Sequence, residues 1–268
     1  MKDISDLNPM GATVNGCIAS LMNTTLWQGG YAIKNVYMAE QRFAHPRMWY
    51  RGFVVNAACD MLNQAVAFPV NNIYRNVIMQ SKPLSSSEQM AGGFFSGTVS
   101  SIFLTPLERI MVTQQFAGDI ALSISQAVAK IFKREGVRGF VHGFTPTCTR
   151  ESLGMACFFG LSLSIKKIMP KQAEESFKFF SPSFFTAGVI GGLCTTPADL
   201  IRVNMQKTGK SLKQTVIDLT ASKDGVRYQA LLRGCLPRMA LIGALLSTLG
   251  PFSRMIPQYL PDAAFRRE

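Results

Sequence analysis

Charge-free runs set the rhythm of this chain. Leu7 to Ile33, Gln89 to Leu107 and Phe179 to Ala198 contain no Asp, Glu, Lys or Arg, and each approaches the roughly 20 residues a helix needs to cross a bilayer. Shorter uncharged runs alternate with them at Met61 to Tyr74, Ser152 to Ile165 and Met239 to Ser253. These predict further spans carrying one charge each, and six spans in all. The spans are studded with Gly, Ser, Thr and Asn rather than packed with Leu, as suits helices that press closely together and line a wet interior.

Composition supports lipid as the solvent. Only 16% of the 268 residues are charged, against roughly 25% in an ordinary soluble domain. A mean hydropathy of only +0.15 leaves a soluble helical bundle as the alternative. The net charge of +12 makes the segments between spans basic. These residues sit singly at helix ends, which favours anionic membrane lipids over nucleic acid as the partner. Six scattered cysteines and two histidines, His45 and His142, show no metal-type spacing. A phosphate loop, GxSxG and HExxH are all absent from the sequence, so no enzyme and no cofactor is expected. Met1 to Asn8 is too short and too acidic for a presequence, which places any targeting address in the body of the chain.

The chain repeats itself. AGGFFSGTVSSIFLTPLERIMVTQQ (91–115) aligns with PSFFTAGVIGGLCTTPADLIRVNMQ (182–206), placing Gly97 on Gly188, Pro106 on Pro197, Glu108 on Asp199 and Gln115 on Gln206. Downstream, EGVRGFVHGFTPTCTRE (135–151) matches DGVRYQALLRGCLPRMAL (224–241), with Gly143 on Gly234. A fainter copy supplies Gly16 and Gly52. The chain is thus expected to be one membrane domain, 1–268, of three repeats at about 8–80, 87–170 and 178–260. Pro106 and Pro197 are expected to kink their helices where they face protein or a water-filled cavity.

These residues resemble the mitochondrial carrier family, whose repeats each carry PxDxxR or PxExxK on the odd-numbered span. Pro197, Asp199 and Arg202 match fully; Pro106 and Glu108 match with Met111 in place of the base; in the first repeat Thr25, Trp27 and Gly30 stand at the three positions. The resemblance implies an all-α fold of six tilted transmembrane helices around a cavity, in the mitochondrial inner membrane. It also implies a matrix gate in which the acid of one odd helix meets the base of the next. Carried over, Glu108 pairs with Arg202, Trp27 faces Met111, and Asp199 faces Gly30. An unpaired Asp199 would then need water, Lys34 one turn on, or a proton. Gln115 and Gln206 stand where the family braces these bridges, with Lys34 in place of the first.

On the cytoplasmic side the aligned positions are Asn71, Asn72 and Arg75, then Ser162, Leu163 and Lys166, then Ser253, Arg254 and Pro257. No acid remains among them, so Arg75, Lys166 and Arg254 are expected to repel. Substrate contact in the family falls seven residues after the repeated glycine: Cys59, Arg150 with Glu151, and Leu241. Gly52, Gly143 and Gly234, with Gly136 and Gly225, resemble the family's cardiolipin sites, where helix N-termini point amides at phosphate. The drifted gate positions favour a non-transporting accessory or structural subunit of an inner-membrane protein complex. The alternative is an active carrier of a small amino-acid-like substrate, recognised through Arg150 and Glu151. Trp27, Tyr31 and Tyr37 plugging the cavity would decide for the first.

Overall fold

In the computed structural model of the chain, the described residues are 9–39, 49–74, 77, 85–117, 122–170, 180–222 and 225–261. The long helices are α1 (Pro9–Met38), α2 (Phe53–Ile73), α3 (Ser86–Gln115), α5 (Phe144–Ala156), α7 (Pro182–Thr208) and α9 (Cys235–Met255). α5 continues through a π-helical turn at Cys157–Leu161 into α6 (Ser162–Ile168). Two short surface helices, α4 (Ile124–Glu135) and α8 (Leu212–Thr220), follow α3 and α7. A two-residue ribbon pairs Ala221 and Ser222 with Val226 and Gly225.

Local chemistry explains where several elements begin. Ser85 and Ser123 form capping boxes with Glu88 and Gln126 at the starts of α3 and α4, which satisfies otherwise orphaned amides. Gly52, Gly143 and Gly234 precede α2, α5 and α9 with φ of 74°, 90° and 78°, a left-handed geometry that costs glycine little. Gly225 departs from the expected pattern. It lies in the ribbon opposite Ser222 rather than at a helix N-terminus, because the chain extends there before the 3₁₀ turn Tyr228–Leu232. Both α3 and α7 run on unbroken through Pro106 and Pro197.

In space, α1, α2, α3, α5, α7 and α9 pack in chain order, and α9 returns against α1 to close the ring. Four stretches are long and apolar enough to cross a membrane: Phe53–Ile73, Ser86–Gln115, Pro182–Thr208 and Tyr228–Leu249. The other two members of the ring fall short of that test for a physical reason. α1 turns Asn15, Asn23, Gln28, Lys34 and Asn35 inward, all buried, while the α5–α6 rod carries Arg150 and Glu151 into the interior.

The closest helix crossings repeat. A Cβ on Gly97 would strike the Glu151 backbone of α5, and one on Gly188 would come within 2.6 Å of the Ile242 carbonyl of α9. The first repeat is offset by one residue from the sequence alignment. Gly16 lies beside Gln64 and Phe68 with ordinary spacing of 3.7 Å, and it is Cys17 whose thiol reaches the Met61 carbonyl at 3.4 Å. Cys17 therefore holds the place of Gly97 and Gly188, and Gln28, Tyr31 and Asn35 take the acid, base and glutamine positions. Hydrogen bonds agree with this register. Asn56 donates to Gln28 at 2.9 Å, just as Thr147 donates to Glu108 at 3.5 Å and Arg238 to Asp199.

This packing predicts unequal glycines. Gly188→Ala drives a Cβ into backbone that has nowhere to go and should cost about 1–3 kcal/mol. Gly16→Ala should change stability by no more than about 0.5 kcal/mol. Thermal unfolding in detergent, followed by cysteine exposure, compares them; equal losses in Tm would contradict the one-residue offset.

Candidate functional site

The ring encloses a cavity of about 170 Å³, room for on the order of ten waters and hence for a small metabolite. Its lining is mixed in sign: Lys34, Arg150, Arg202 and Arg238 face Asp60, Glu108 and Glu151 across Asn23, Asn56, Asn63 and Gln64.

At one end of the cavity the charges join in a single network. Arg202 bonds Glu108 at 3.3 Å and Asp199 at 2.7 Å. Arg150 pairs with both Glu108 and Glu151 and lies 3.7 Å from Asp199. Lys34 reaches Asp199 at 2.7 Å, and Arg238 also pairs with it. Asp199 and Arg202 are 0% and 1% exposed, so each charge depends on its partners rather than on water. Gln206 accepts from Arg202 at 3.2 Å. Gln115 instead accepts from Asn35 at 2.6 Å and ties α3 to α1.

Of the three ways to compensate Asp199, the structure has Lys34, one turn beyond Tyr31, which supplies the base missing from the first repeat. Two other expectations are corrected here. Trp27 does not face Met111. Its indole N–H donates to Thr248 Oγ1 of α9 at 3.2 Å, while Met111 packs with Val55, Cys59 and Leu104; the one-residue offset turns Trp27 off the seam and puts Gln28 there. Leu241 does not line the cavity. It occupies the space beside Gly30, where a Cβ would meet its Cδ1 at 2.7 Å, and Arg238 and Ile242 present the third repeat to the cavity. Cys59, Arg150 and Glu151 line it.

Sequence reasoning missed Asp60 and Arg238. Both were signalled by the repeat: Asp60 stands at Glu151's distance from its glycine, and Arg238 at the distance of Asn56 and Thr147 from theirs. The aromatic plug is not formed. Trp27 bonds α9, Tyr37 is 53% exposed, and Tyr31 lines the cavity with its hydroxyl on Asp60 at 3.1 Å.

At the other end, Ala19, Leu249, Ile256 and Leu260 pack with Phe158 and Phe252, and Phe68 stacks edge-on against Phe158 and Phe159. Lys166 is exposed. Arg75 and the side chains of Leu163, Ser253 and Arg254 lie outside the described residues, so the expected repulsion among Arg75, Lys166 and Arg254 falls there too.

The family model for mitochondrial carrier protein matches residues 82–173 and 183–248. The chain belongs to the mitochondrial carrier family. Among curated relatives it is 26% identical over 207 residues to a probable mitochondrial 2-oxodicarboxylate carrier of Dictyostelium discoideum, covering 72% of this chain and 68% of that protein. It is 26% identical over 170 residues to the mitochondrial dicarboxylate carrier of Caenorhabditis elegans, covering 60% and 57%. It is 24% identical over 188 residues to mitochondrial ornithine transporter 1 of Mus musculus, covering 63% and 62%. Membership makes it a multi-pass mitochondrial membrane protein, and the closed ring of helices around a charged cavity is the family's all-α architecture.

The network predicts which substitutions matter. Arg202→Met leaves two buried carboxylates short of a partner and should destabilise the protein by about 3–5 kcal/mol. Trp27→Phe removes one indole hydrogen bond and should cost no more than about 1 kcal/mol. Thermal unfolding of the two variants checks the ranking, and the reverse order would contradict it.

Proposed function

We propose that the protein is an active solute carrier that exchanges a small amino-acid-like metabolite across the inner mitochondrial membrane. The observation that carries this reading is the cavity itself, which is lined by groups of both signs, as a solute bearing a carboxylate and an ammonium requires. Arg150 is the pivot. It is 14% exposed and holds Glu108 and Glu151 at once, so a substrate carboxylate reaching Arg150 competes with Glu108 and loosens the network. Competition of this kind couples binding to opening, because a ligand shifts a two-state equilibrium only through its different affinity for the two states.

Two features replace what the motifs lack. Lys34 restores a base for Asp199, and the apolar cluster of Phe158, Leu249 and Ile256 packs the far end. An apolar contact can be as stable as an ion pair once desolvation is counted. The accessory-subunit reading loses support, since it rested on the drifted gate positions, and Trp27 and Tyr37 do not form the plug that would have decided for it. The relatives include proteins named for dicarboxylates and for ornithine, which supports a small carboxylate-bearing substrate. Bound cardiolipin at the amides after Gly52, Gly143 and Gly234 belongs to the same proposal.

Purified protein in cardiolipin-containing liposomes should exchange at least one amino acid or keto acid with saturation. Arg150→Ala should lower that exchange by about tenfold or more, as expected for loss of a hydrogen-bonded charge pair. Folded protein that exchanges nothing across such a panel would overturn the reading in favour of an accessory subunit.

A further inference from the structure

Among the described residues every cation lining the cavity has a carboxylate partner, but one carboxylate there has no cation. Asp60 lies midway along α2 and opens onto the cavity. Its Oδ2 accepts from the Thr24 hydroxyl at 2.5 Å and the Tyr31 hydroxyl at 3.1 Å, both on α1. Among the described residues no Lys, Arg or His lies within ion-pair distance of it. Glu151 differs: Arg150 pairs with one of its oxygens, and Asn63 donates to the other at 3.0 Å. The groups facing Asp60 are thus neutral donors from α1, with Cys59, Asn63 and Gln64 along α2 and the already paired Arg150 and Glu151 across on α5.

Two neutral hydroxyls orient a carboxylate without neutralising it. A charge in the middle of a membrane protein is costly unless something compensates it. Here the open side is the cavity side, so the compensating group is one that enters through the cavity. Lys34, Arg150, Arg202 and Arg238 line the same cavity, a set of cations that takes an anion. A solute satisfying both these cations and Asp60 carries a carboxylate and a separate cation.

We propose that Asp60, held by Thr24 and Tyr31, is the subsite for a distal amine, which makes the transported solute a basic amino acid. This deepens the carrier reading and rests on it for transport, though the binding claim can be tested alone. It also predicts discrimination: a dicarboxylate would set its second carboxylate against Asp60, and a neutral side chain would leave Asp60 uncompensated.

The test uses full-length protein and three probes of matched length: L-lysine, L-norleucine and adipate. Thermal stabilisation in detergent reads binding, and exchange in liposomes reads transport. Lysine should stabilise the wild type more than norleucine or adipate does, and Asp60→Asn should weaken lysine binding by roughly tenfold or more while leaving norleucine binding within about twofold. Tyr31→Phe removes only one orienting hydroxyl and should weaken lysine binding less. If Asp60→Asn is too unstable to assay, the same ranking is read from Tyr31→Phe and Thr24→Val. Lysine binding without exchange would uphold the Asp60 assignment while overturning the carrier reading. Exchange of adipate in preference to lysine, or lysine binding indifferent to Asp60→Asn and Tyr31→Phe, would overturn the assignment and leave the carrier reading standing. Failure of lysine to bind at all would overturn it as well.

Discussion

Asp199 is a carboxylate with no access to water, and much of the bundle is arranged around that fact. Burying an isolated carboxylate costs several kcal/mol even after relaxation, so four helices each bring it a cation. α1 supplies Lys34, α7 supplies Arg202, α9 supplies Arg238 and α5 supplies Arg150 at 3.7 Å. Lys34 and Arg238 clasp the ring at the seam where α9 returns to α1, and Arg150 adds the second repeat. Arg202 then reaches Glu108 on α3 and so carries the connection into the second repeat.

Such a clasp holds by mutual dependence. Each member is buried on the assumption that the others remain, so losing one strands its partners. The first repeat has lost the proline, acid and base of the family motif, yet contributes to the clasp through Lys34. A lysine ammonium on a four-carbon stem can reach across a turn where a short side chain at the motif position could not. Degenerate motif letters therefore coexist with a complete network.

The fold was legible because a threefold repeat multiplies weak signals: charge-free runs, a recurrent glycine and Pro-x-acid all point to the same two-helix unit. Glu108, Arg202, Arg150 and Glu151 were legible for the same reason. What escaped was register. The first repeat lacks the proline, so Gly16 alone anchored its alignment, and an error of one residue turns a helix by about 100°. That error placed Trp27 on the seam in place of Gln28. Leu241 was misassigned although its spacing was right, because Gly30 opposite leaves a hollow that Leu241 fills. Asp60 and Arg238 needed offsets that only the packed helices make plain.

The central claim is that one ion network shuts one end of a cavity that must open for a solute to pass. Cys59 lines that cavity at 4% exposure and reports on it directly, in a variant whose other five cysteines are serine. The rate at which a small water-soluble thiol reagent labels Cys59 should rise by about tenfold or more when Glu108→Gln removes the shared partner of Arg150 and Arg202, a factor equivalent to about 1.4 kcal/mol of lost closure. Equal labelling rates with and without Glu108 would mean that the network does not hold the cavity shut, and the account would fail.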